Sequence, residues 1–162
     1  MKKISQKKLW KKTHQKKNNQ TIIKNREGGA VGSAFFCYNY FMETMNLRNY
    51  AYIGDAVWEL FVRKYTVYKT QNLKRLHKLT TDRVNLTYQA QLLDFLEPNL
   101  TEQELELARR ARNCPIPIGR RNNQFEYRKS TAFEALIGYW YIEEKDRYNE
   151  VIEIIKSHFF ND

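Results

Sequence analysis

Residues 47–68 read LRNYAYIGDAVWELFVRKYTVY. Apolar side chains recur there at Tyr50, Ile53, Val57, Leu60 and Phe61, the three- and four-residue spacing that lines one face of an α-helix. The pattern predicts a helix from Leu47 to about Tyr68. Gly54 sits inside it, where a glycine costs about 1 kcal/mol relative to alanine; a glycine kept at such a position marks close packing against a neighbour. Asp55 follows at once, an acid inside a strongly apolar run. Burying a carboxylate is costly unless it is paired or meets a cation.

Working outward, a second helical pattern covers about Asn72 to Asp94, through Leu73, Leu76, Leu79, Val84, Tyr88 and Leu92, with Thr80-Thr81 as its candidate break. Pro98-Asn99 is a stop. Thr101 and Glu104 form a capping-box pair that opens a helix through Leu105 and Ala108 toward Arg112. Pro115 and Pro117 end it, and residues 113–126 read as a polar loop. Thr131 with Glu134 makes a second possible capping box, and Phe133, Leu136, Ile137, Trp140 and Tyr141 carry a helix to about Glu144. A last amphipathic helix covers about Asp146 to Phe160. No segment shows sustained period-two alternation, so the fold class is all-α.

The chain has 162 residues, 42% hydrophobic and 14% aromatic, which suits one domain with an ordinary core, plus a tail. The net charge of +10 is unevenly placed: residues 1–26 carry ten Lys/Arg and no acid, and the remainder balances 18 basic residues against 18 acidic ones. The division expected is a basic, unordered N-terminal extension over 1–45 and a domain over 46–162. Met42 and Met45 stand just before the first helical pattern, so translation starting there, or a targeting role for the extension, are both open. A basic balance suits nucleic acid or an anionic surface, but here it belongs to the tail. Cys37 and Cys114 offer no disulfide framework, which fits a reducing compartment. The three histidines show no zinc spacing. No apolar run approaches the ~20 residues that span a membrane, and the basic stretch is too long for a signal peptide.

Two acids stand out. Asp55 is either a surface or salt-bridged residue or a cation ligand, with Glu59 one turn on. Glu134 is either the third residue of a capping box or a second ligand. Arg109, Arg110, Arg112, Arg120, Arg121, Arg128 and Lys129 put seven basic residues within 21 positions around the proline-containing loop. They are either a solvated face or a set of phosphate contacts. There is no glycine-rich phosphate loop and no nucleophile elbow.

The stretch from Tyr52 to Leu60, with Gly54-Asp55-Ala56 at its centre, resembles the signature of the ribonuclease III catalytic domain. Phe133 to Tyr141 resembles that family's second acidic helix, and Leu76-His77-Lys78 and Arg83-Val84-Asn85 fall in the expected middle region. The resemblance covers about residues 46–158. Two positions depart from the full-length family: Ala51 stands where a glutamate is usual and Thr131 where an aspartate is usual. Mini-ribonuclease III is similar to this sequence in both respects. It is also similar in the run from Tyr127 to Gly138, in Arg109-Arg110-Ala111-Arg112-Asn113, and in having no double-stranded-RNA-binding domain, for which the residues after Glu144 leave no room.

The resemblance implies a homodimeric helical bundle of the ribonuclease III endonuclease type that cuts double-stranded RNA. Asp55 and Glu134 would be its catalytic and metal-binding residues, with Mg²⁺ as cofactor and Mn²⁺ as substitute. It further implies that each protomer cuts one strand of a large-subunit ribosomal RNA precursor stem. A ribosomal particle or protein is the expected additional partner. The seven basic residues would contact RNA, and the compartment would be the cytoplasm, or an organellar stroma or matrix if the extension is a transit segment. The loss of two acids motivates the alternative of a non-catalytic RNA-binding protein for ribosome assembly.

Overall fold

The computed structural model describes residues 45–116 and 123–160. Residues 1–44 of the basic extension expected over 1–45, and Arg120 and Arg121 in the loop, lie outside the described residues. Those described form six α-helices and no strand: α1 (Leu47–Thr66), α2 (Leu73–Val84), α3 (Leu86–Leu96), α4 (Glu102–Arg112), α5 (Gln124–Glu143) and α6 (Lys145–Phe159). One 3₁₀ turn, Glu97–Asn99, carries Pro98 between α3 and α4. The all-α expectation is met.

Short polar side chains start most of these helices. Asn46, Asn72 and Asn85 each accept a hydrogen bond from a first-turn backbone N–H, satisfying donors that a helix start leaves unpaired. Asn85 is therefore where the second helical pattern breaks, and the Thr80-Thr81 break expected from sequence does not occur: Thr80 is buried within α2 and bonds Leu76 O and Thr66. Thr101 and Glu104 form the expected capping box, with both reciprocal bonds present. The second expected box is absent. α5 begins at Gln124, so Thr131 and Glu134 lie well inside a helix, where backbone N–H groups already have partners and no cap is needed.

Helix α5 is the centre of the domain. Ala132, Phe133, Ala135, Leu136, Ile137, Gly138, Tyr139 and Trp140 are all buried, because α1, α3, α4 and α6 pack around it; a helix apolar on all sides is a core helix. The buried face of α1 differs from the expected one. Tyr50, Ala51, Gly54, Trp58, Val62 and Thr66 face inward, while Ile53, Val57 and Phe61 are half-buried and Leu60 is 52% exposed. The stripe turned inward is the one that carries small residues, since these allow two helix backbones to approach. A Cβ at Gly54 would lie under 3.0 Å from the Glu134 carbonyl and the Gly138 nitrogen, and one at Gly138 would meet the Tyr50 carbonyl just as closely. One turn further along, Trp58 stacks edge-on against Phe133 at 5.1 Å between centroids and donates its indole N–H to Arg83 O at 3.0 Å.

Glu104 does more than cap. Its carboxylate accepts from Trp140 Nε1 at 2.8 Å and from Arg147 Nε at 2.8 Å and Nη2 at 3.1 Å, tying α4 to α5 and α6. Burial works against its ionisation, but the bonds from Arg147, Thr101 and Trp140 outweigh it and hold its pKa below the ordinary glutamate value. The stabilisation is therefore complete above roughly pH 4.3 and is lost as pH falls through the lower folded value. Glu104→Gln leaves the Arg147 charge buried without its counter-ion and should cost about 3 kcal/mol at neutral pH. Chemical denaturation should also show the acid limb of the stability curve flattened in the variant; an unchanged limb would count against this assignment.

Candidate active site

The helical repeat explains which side chains meet. On α1, Arg48, Ala51, Tyr52 and Asp55 are spaced to share one face, and on α5 so are Tyr127, Thr131 and Glu134. The glycine-mediated contact holds these faces together, because Gly54 precedes Asp55 and rests on the Glu134 carbonyl. All seven of these residues line a single open cleft of about 480 Å³, closed on its third side by Arg112, Cys114, Pro115 and Ile116 from the end of α4 and beyond. The structure thus places the two acids singled out from sequence in one cavity. Ala51 and Thr131, which stand where the fuller pattern carries acids, are in the same wall.

The electrostatics are those of two carboxylates without a counter-ion. Among the described residues, no lysine or arginine forms an ion pair with Asp55 or Glu134. Burial and then the neighbouring Asp55 charge push the Glu134 carboxyl up to about 8. The Asp55 pKa is raised too, by partial burial first and by the charge of Glu59 second. Both shifts disfavour two full negative charges on these acids near neutral pH, most strongly at Glu134. No group of three or more His, Cys, Asp or Glu able to hold a metal gathers among the described residues. A cation here would have two protein carboxylates and would complete its shell with water and substrate oxygens, the habit of Mg²⁺. The donor set fits that ion. Glu59 is not part of the cleft lining; it is paired with Arg63 on the surface of α1.

The basic residues expected to contact RNA divide. Arg112 and Arg128 line the cleft; Arg112 is paired with Glu97 at 2.7 Å, and Arg128 donates to the Arg112 carbonyl. Arg109 is exposed and held by Glu106 on its own helix, Arg110 is exposed, and neither lines the cleft. Lys129 is turned away, bonded to Asp94 at 2.6 Å and set over the Phe125 ring. Sequence reasoning missed Arg48, whose guanidinium lies in the cleft and donates to Pro115 O at 3.4 Å. It also missed Tyr52 and Tyr127. Arg48 and Tyr127 each stand seven residues before an acid, Asp55 and Glu134, and Tyr52 stands one turn before Asp55; these spacings were signals available in the sequence.

Comparison with known proteins identifies the family. The Ribonuclease III domain family matches residues 48–145. A Mini-ribonuclease 3 from Gloeobacter violaceus is 38% identical over 113 residues, covering 70% of this chain and 84% of its own. One from Staphylococcus aureus is 32% identical, covering 72% and 93%. A solved structure of a protein from Fusobacterium nucleatum superposes with a TM-score of 0.61 at 30% identity, covering 72% of this chain and 96% of that one. This chain belongs to the Mini-ribonuclease 3 group of the ribonuclease III family and is an endoribonuclease of that type.

Proposed function

We propose that this endoribonuclease cleaves double-stranded RNA with Mg²⁺ held by Asp55 and Glu134, and that Mn²⁺ can replace it. The observation that carries the reading is the placing of two carboxylates side by side in a cleft flanked by Arg48, Arg112 and Arg128. When bound, the ion supplies acidification of water and neutralisation of charge at the scissile phosphate. The chain's own residues do the rest. Asp55 and Glu134 hold the ion; Arg48, Arg112 and Arg128 carry positive charge to the phosphates on either side, reading backbone shape and not bases. The substrate proposed is a stem of a large-subunit ribosomal RNA precursor, met in the cytoplasm or an organellar equivalent, with a ribosomal particle or protein as a further partner.

A homodimer is part of the same reading. Tyr52, Ala56 and Leu60 recur every four residues along α1, all exposed, with Tyr52 at 79% and Leu60 at 52%. An apolar stripe of this kind beside the acid suits a two-fold interface, and two-fold symmetry matches the antiparallel strands of a duplex. Leu60→Asp is expected to convert a dimeric wild type into a monomer in analytical ultracentrifugation at micromolar concentration. A variant that sediments as a dimer would place the interface elsewhere.

The test of the function is end-labelled duplex RNA incubated with the protein in Mg²⁺, Mn²⁺ or EDTA, with the single strand alongside. Cutting of the duplex only, and only with a divalent ion, is the expected result. Tight binding of an intact duplex under every condition would instead favour a non-catalytic RNA-binding protein, the reading that the alanine and threonine at positions 51 and 131 motivate.

A further inference from the structure

Helix α3 contributes a side chain to this site that the cleft itself does not reveal. Gln89 is 1% exposed, set among Ala90, Leu92, Leu93 and Leu96 on the face that packs on α5. Neither its amide nitrogen nor its amide oxygen has a hydrogen-bond partner of ordinary geometry. A buried amide in that condition is costly, and a methionine or leucine of similar volume would avoid the cost. The amide does have a neighbour. It lies beside the Glu134 carboxylate of α5, the helix on which α3 packs.

We propose that Gln89 is a positioning residue, whose amide N–H groups engage Glu134 and hold its carboxylate in the orientation that receives a divalent cation. One carboxylate oxygen then accepts from the amide while the other is left for the ion. Groups that orient a ligand in this way commonly change metal affinity by about 10- to 100-fold. With two acids in the cleft and alanine and threonine in the other two places, each remaining ligand must be well aimed. Gln89 supplies that aim from a helix that does not line the cleft.

This inference rests on the reading of Asp55 and Glu134 as the ion site, and its test separates the two. Thermal unfolding of the full chain is followed across a MgCl₂ titration for wild type, Gln89→Met and Gln89→Leu, together with the Mg²⁺ concentration for half-maximal duplex cleavage. Both variants should be at least as stable as wild type in EDTA. Both should need at least tenfold more Mg²⁺ to reach half of the thermal shift and half-maximal cleavage. Variants that respond at the wild-type Mg²⁺ concentration, with wild type itself responsive, overturn the role of Gln89 alone. A wild type that neither shifts nor cleaves with Mg²⁺ overturns the ion site and this inference with it.

Discussion

Gly54→Ala is expected to destabilise the domain by about 4 kcal/mol or more, beyond the usual range for a single added methyl group. The reason is the identity of what the methyl meets. It would fall under 3.0 Å from the Glu134 carbonyl and the Gly138 nitrogen, which are backbone atoms of the central helix and cannot rotate away. α1 and α5 would have to separate along the line that also seats Trp58 against Phe133. Alanine is the better intrinsic helix former, so the outcome also decides between propensity and packing. Urea denaturation measures it: a variant as stable as wild type would mean the two helices do not touch at this point. Because the same contact sets Asp55 beside Glu134, any folded fraction of the variant should also lose Mg²⁺-dependent cleavage.

Asp55→Asn and Glu134→Gln are expected to act in the opposite sense on stability and far more strongly on activity. In the ion-free protein the Glu134 carboxyl is pushed up to about 8, so the folded chain keeps a proton that the unfolded chain gives up. A raised carboxylate pKa means that stability falls as pH rises from the ordinary glutamate value through about 8 and levels off above it. Replacing Glu134 with glutamine removes that loss, a gain on the order of 1–3 kcal/mol near neutral pH in EDTA. Asp55→Asn relieves the same repulsion from the other side. Mg²⁺ should raise the melting temperature of the wild type and leave both variants unmoved. For cleavage, removing one of the two proposed ion ligands should lower the rate by about 10³-fold or more. Such opposed effects mark a site selected for activity and not for folding.

Much of this was legible because the relevant residues break local rules. Gly54 and Asp55 are poor choices for the interior of an apolar helix, and both sit at the site. The Thr101–Glu104 box was readable because its partners are three residues apart, although nothing local showed that Glu104 also meets Arg147, 43 residues on. The start of α5 was not readable. Gln124 to Ser130 has no side-chain cap and little apolar periodicity, and its partners are remote: Arg128 bonds the Arg112 carbonyl, and Lys129 bonds Asp94. That error made Glu134 look like a capping residue. The inward face of α1 was misjudged for a related reason, since hydrophobicity favours Leu60 whereas the backbone contact at Gly54 turns Trp58 and Val62 inward. The spacing of Arg48 and Tyr127 from Asp55 and Glu134 was legible, but that all four share one cleft depends on how α1 and α5 cross, which no single helix records.

The central claim is that Asp55 and Glu134 together form the ion site that drives duplex cleavage. Single-turnover cleavage of a labelled RNA duplex in Mg²⁺, by wild type, Asp55→Asn and Glu134→Gln at saturating protein, tests it most directly, with duplex affinity measured alongside in EDTA. The expected result is Mg²⁺-dependent cutting by wild type, loss of it in each variant alone, and duplex affinity within a few-fold of wild type in both. Cleavage by either variant at the wild-type rate would contradict it.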